Sequence, residues 1–139
     1  MTVKHFTVKQ ANKTLPLVER IVADILGDHD TWRDLMGQYE LLSAGATGES
    51  EETPEQIVLR NEIDDAAHCI NGYIEELSQI GCIFKGFEQG LVDFYSKRDG
   101  LDVFLCWKHG EPVVEHWHEL EGGFSGRLPV EVESLRSED

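Results

Sequence analysis

Two spacings of apolar residues divide this chain. From Val18 to Ile80 they recur every three or four positions, the period of helices with one buried stripe, and from Val92 to Trp107 they alternate, the period of strands. The first stripe is Val18, Ile21, Val22, Ile25, Trp32, Leu35, Met36, Tyr39 and Leu42, with a gap at Asp28 and His29 beside Gly27. A glycine there costs a helix about 1 kcal/mol, so one long helix is expected, with a bend near Gly27 allowed. The second stripe, Leu59, Ile63, Ala66, Ile70, Tyr73, Leu77 and Ile80, alternates intervals of four and three, as a coiled-coil seam does.

Local signals mark where these helices begin and end. Thr7 and Gln10 have capping-box spacing, and Phe6 can staple onto Ala11. Pro16 then predicts that this first turn stops and that the helix restarts at Thr14, while alternation over Thr2 to Phe6 predicts a short strand. Thr53-Pro54-Glu55-Gln56 opens the second helix with a cap, a first-turn proline and a second capping box, and Gly81 closes it. The Gly-, Ser- and Glu-rich stretch 43–53 joins them as a surface loop, so residues 14–80 are expected to form an antiparallel helical hairpin.

Cys82 to Gln89 is a short apolar connection in this reading, and residues 90–119 form a meander of three strands. Asp99-Gly100 is the preferred pair for a two-residue type I′ turn, which places Asp93 opposite Cys106, Phe94 opposite Leu105 and Val92 opposite Trp107. Val92, Phe94, Val103, Leu105 and Trp107 then share the face packed on the helices, and Asp93 and Cys106 look the other way. A second two-residue turn at His109-Gly110 pairs Leu105 with Val114 and puts His116 on the packed side, with His118 near its rim. One more residue in that turn reverses every side chain and moves both histidines to the face of Asp93, Asp102 and Cys106. The shorter turn is the expectation. The fold class is α+β: a long antiparallel helical hairpin packed on a small three-stranded antiparallel meander, in a single domain spanning residues 1–139, with an acidic tail at 131–139.

Charge narrows the functional classes. With 139 residues and a formal net charge of −15, the chain is unsuited to tracking phosphates, so neither nucleic acid nor an anionic membrane is an expected partner. Residues 1–6 lack the apolar core of a signal peptide and no apolar run approaches a bilayer span, so a cytoplasmic location is the expectation. Cys69, Cys82 and Cys106, an odd set without Cys-x-x-Cys spacing, read as reduced and buried thiols. The hairpin arms are each about as long as a compact chain of this size is wide, and Val58, Ala67 and Ile74 broaden the apolar stripe of the second helix. A homodimer forming a four-helix bundle is the expected cover.

The chemistry-bearing candidates are few. His116 and His118 share a strand face and, with a carboxylate beside them, would hold a divalent metal. Asp93, Trp107, Glu111 and Arg127 are the ligand-binding candidates, Arg127 because its planar fork suits a carboxylate or phosphate. Asp65 and His68 have di-iron-like spacing but lie outside the seam, and the run Gly122 to Gly126 lacks the lysine and helix of a phosphate loop.

Phe6-Thr7, Ala11-Asn12, Leu15-Pro16, Ile80-Gly81-Cys82, Gly90-Leu91-Val92-Asp93-Phe94, Leu105-Cys106-Trp107, Gly110-Glu111, Trp117-His118-Glu119 and Gly126-Arg127, in this order, resemble the bacterial domain of unknown function family 2203. The resemblance implies a small cytosolic protein of helices and an antiparallel sheet and brings no activity, cofactor or catalytic residue. The function expected is a noncatalytic dimeric adaptor or regulatory, ligand-binding module, and the alternative is a hydrolase-like metal-dependent enzyme using the carboxylates and histidines of the sheet.

Overall fold

The computed structural model describes residues 3–44 and 51–131. Helix α1 (Val8–Ser43) and helix α2 (Pro54–Ile80) form an antiparallel hairpin. A sheet follows in chain order: β1 (Cys82–Gly86), β2 (Leu91–Arg98), β3 (Leu101–Lys108), β4 (His116–Glu119) and β5 (Leu128–Pro129). Each strand pairs antiparallel with the next, so the sheet has five strands where three were expected. The two additions are edges: Gly86 interrupts the apolar run of β1, and β5 has only two residues, too few to show alternation. Residues 45–50 of the expected loop and 132–139 of the expected acidic tail lie outside the described residues.

The helix caps follow from local chemistry. Thr7 accepts the Gln10 N–H and Gln10 accepts the Thr7 N–H; Thr53 and Gln56 repeat the exchange with Pro54 at the first turn. Gly81 ends α2 in the left-handed region with φ 112°. The expected restart at Thr14 does not occur, and α1 runs through Pro16. Thr14 Oγ1 instead bonds back to the Ala11 carbonyl at 2.7 Å. Burial of Ala11, Leu15 and Val18 holds the helix together across the bond that proline removes. Nor do residues 3–6 form a strand; Phe6 ties them to β2, its N–H donating to the Tyr95 carbonyl, its carbonyl accepting from Ser96 Oγ and its ring lying edge-on to Phe94.

One core joins the two layers. Val18, Ile21, Val22 and Ile25 of α1 and Ile70 and Leu77 of α2 pack with Val92, Phe94, Leu105 and Trp107 of the sheet. Fully burying a side chain of this kind contributes roughly 1.5–3 kcal/mol. Beneath α1, Gly90 has φ 63°, and a Cβ there would lie 2.8 Å from that of His109 and 3.2 Å from Val22 Cγ1, so the entry to β2 has no room for a side chain. The core thins along the hairpin. Beyond Ile25 no residue of α1 is fully buried, and Leu41, Leu42, Ile57 and Val58 are exposed near its tip.

Turn chemistry sets the register that places the site. At Asp99-Gly100 both residues have positive φ, the two-residue turn forms, and β2 and β3 pair as expected from Leu91↔Lys108 to Arg98↔Leu101. At His109-Gly110 a tight turn also forms, closed by the Glu111 N–H on the Lys108 carbonyl, but only Gly110 has positive φ. A turn of that kind splays the strands it joins. The chain then detours through Pro112 to Glu115, where the side chain of Asn12 clamps Val114, accepting its N–H at 2.7 Å and donating to its carbonyl at 3.1 Å. Pairing resumes at Cys106↔His116, with Leu105↔Trp117 and Phe104↔His118. The expected pairing of Leu105 with Val114 is therefore corrected by three residues, an odd shift, and His116 and His118 lie on the face of Asp93 and Cys106 rather than on the packed side.

Candidate functional site

The outer face of the sheet gathers the polar candidates into two neighbouring groups. Asp93 of β2, Cys106 of β3 and His118 of β4 supply ligand atoms that all lie within 4.8 Å of one another. Their exposures of 2%, 1% and 2% make them as buried as the hydrophobic core. Adjacent strands bring them together: Asp93 and Cys106 are direct ladder partners, and Cys106 pairs with His116, two residues before His118. Phe104 tilts against the His118 ring at 5.4 Å, and the tight turn after β4 brings Gly122 against the His118 Cβ.

The hydrogen bonds fix most of the proton positions. His118 Nδ1 lies 2.6 Å from the Glu119 carbonyl, which can only accept, so Nδ1 carries a proton and Nε2 faces Asp93 at 3.1 and 3.2 Å from the two carboxylate oxygens. One proton between Nε2 and the carboxylate completes that contact. Burial pushes the Asp93 carboxyl up from its ordinary range, and the charge and hydrogen bond of His118 only partly offset it. Burial, reinforced by the charge of Asp93, pushes the Cys106 thiol up to about 12, so it is a neutral thiol at neutral pH.

The second group is an ion pair. Arg127 grips Glu111 with both arms, Nη1 to Oε1 at 2.9 Å and Nη2 to Oε2 at 2.5 Å, and its guanidinium lies 4.4 Å from the centre of the Phe124 ring. Glu111 Oε1 also accepts the Lys108 N–H at 2.8 Å. Burial alone would raise the Glu111 carboxyl, but Arg127 and the Lys108 N–H together outweigh it and hold it below the usual carboxylate range. His116 Nδ1 sits 3.7 Å from Glu111 Oε2 and is buried with no hydrogen-bond partner among the described residues.

Of the residues singled out in the sequence, Asp93 and His118 meet directly, Glu111 and Arg127 pair with each other, and His116 lies beside the second group. Arg127, read as a receiver of an external anion, is occupied by an internal one. Trp107 is fully buried on the helix-facing side and donates its indole N–H to the Glu111 carbonyl, which steadies the turn. Cys106 was not singled out as a ligand, although its pairing with Asp93 across the Asp99-Gly100 hairpin was the available signal. Asp65 and His68 are exposed, as their place outside the seam implies. Cys82 and Cys106 are buried as expected, whereas Cys69 is exposed.

Among the described residues no helix is long and apolar enough to cross a membrane. The model of the domain of unknown function family DUF2203, described as an uncharacterized conserved protein, matches residues 4–130, and the chain belongs to that family. No curated protein and no solved structure matches it.

Proposed function

We propose that this member of the family is a noncatalytic assembly module of the cytoplasm that works as a homodimer, with the sheet as the anchored layer and the hairpin as the pairing element. The observation that carries this reading is the exposed apolar tip of the hairpin. Leu41 and Val58 are 78% and 55% exposed and, with Leu42 and Leu59, line a shallow groove between the helix ends. At about 1.5 Å per residue α1 is roughly 54 Å long, against a diameter of about 35–40 Å for a compact chain of this size. A second copy laid antiparallel along the tip would continue the stripe as a four-helix bundle, the symmetric arrangement that covers both copies at once. The polar groups of the sheet support the noncatalytic side. Asp93, Cys106 and His118 are sealed from solvent, and Glu111 and Arg127 satisfy each other.

Light scattering of the full chain at micromolar concentration should give twice the 15.7 kDa of one chain. The double variant Leu41→Glu, Val58→Glu should return the single-chain mass with an unchanged circular dichroism spectrum. A wild-type chain that stays at 15.7 kDa throughout the micromolar range would overturn the reading.

A further inference from the structure

We propose that Asp93, Cys106 and His118 form a binding site for one divalent cation of the zinc class. The site stands apart from the hairpin tip, so assembly can fail without touching it. Three adjacent strands hold one oxygen, one sulfur and one nitrogen donor within 4.8 Å of one another. A tetrahedral ion bound at about 2.0–2.3 Å needs its ligands roughly 3.3–3.8 Å apart, a closure of about 1 Å that side-chain rotation supplies.

The hydrogen bond of His118 Nδ1 to the Glu119 carbonyl is the arrangement metal-bound histidines use, because it puts the proton on the far nitrogen and aims the Nε2 lone pair inward. A thiolate and a carboxylate together carry two negative charges, which a divalent ion cancels in a place where unbalanced charge is costly. The sulfur and imidazole donors select a borderline-soft ion over magnesium or calcium. His116, the ladder partner of Cys106, lies on the same face but outside the 4.8 Å group, beside Glu111. Two cations oppose the ion: Arg127, which is paired with Glu111 but also contacts the Cys106 thiol, and Lys85, which is exposed and lies over the Phe104 ring.

A thiol loses its proton when it binds a divalent ion, so binding releases protons. Because the donors are sealed, the ion would stabilise or signal rather than activate a substrate.

The test uses the full-length chain, stripped with a chelator and titrated with Co²⁺, then Zn²⁺. One Co²⁺ per chain is expected, with a thiolate-to-cobalt absorption band in the near ultraviolet. Zn²⁺ should displace the cobalt and raise the melting temperature. Cys106→Ser should abolish the band and weaken binding at least about 100-fold, while Cys69→Ser, at the exposed thiol, leaves both intact. His118→Gln should weaken binding as strongly and, with the native circular dichroism spectrum, separates loss of a ligand from loss of fold. A folded wild-type chain that shows no stoichiometric thiolate band would overturn the proposal, as would a band that survives Cys106→Ser or vanishes in Cys69→Ser.

Discussion

The amide of Asn12 both accepts from and donates to the backbone of Val114, 102 residues away, and also donates to the Val8 carbonyl one turn back. It does for the detour after β3 what a neighbouring strand would do, satisfying an N–H and a C=O that the splayed turn leaves without a ladder. Asn12→Ala would leave both groups of Val114, a fully buried residue, without their partner. The expected loss is about 1–3 kcal/mol in denaturant unfolding, together with faster hydrogen exchange at the Val114 amide. An unchanged exchange rate there would show that the clamp is dispensable. Nothing in the local sequence announces this contact, since asparagine in a helix pairs with a distant backbone only after the whole fold has formed.

The elements show which parts of the fold can be read from neighbouring residues. Both capping boxes, the glycine stop after α2 and the type I′ turn depend on side chains within a few positions of each other, and each appears where the sequence places it. Edge strand β1, the two-residue β5 and the continuity of α1 through Pro16 depend on packing partners far along the chain. The site divides in the same way. Asp93 facing Cys106 follows from one turn, whereas His118 reaches them only through the detour, and its position turned on the parity of that loop. The ion pair that closes the detour carries a pH signature. Because the carboxyl of Glu111 is held below its usual range, its contribution is fully present above the unfolded value of about 4.3 and is lost as pH falls through the lowered folded value. Glu111→Gln should therefore cost about 1–3 kcal/mol near neutral pH, and the gap to the wild type should shrink in acid. A gap that is constant from neutral pH down to acid unfolding would show that the pair contributes no linked stability.

For the whole molecule, charge and topology act on different processes. A net charge of −15 on each chain opposes the pairing of two copies, so a dimer held by the apolar tip should tighten as salt rises from about 0.05 to about 0.5 M, whereas one held by ion pairs would loosen. Topology bears on the order of events in folding. The helical hairpin and the β2–β3 hairpin are built from near neighbours and close cheaply, but the bond from Ser96 Oγ to the Phe6 carbonyl spans 90 residues. That bond should form after the rate-limiting step, when the N-terminal segment docks on a sheet already made. Ser96→Ala should then speed unfolding about 5- to 30-fold while leaving the folding rate nearly unchanged, and stopped-flow measurements in which refolding slows instead would place the docking before the barrier. The segment that opens the chain would thus be the last to arrive, and its hydrogen bonds to β2 would act as a latch on the lifetime of the native state.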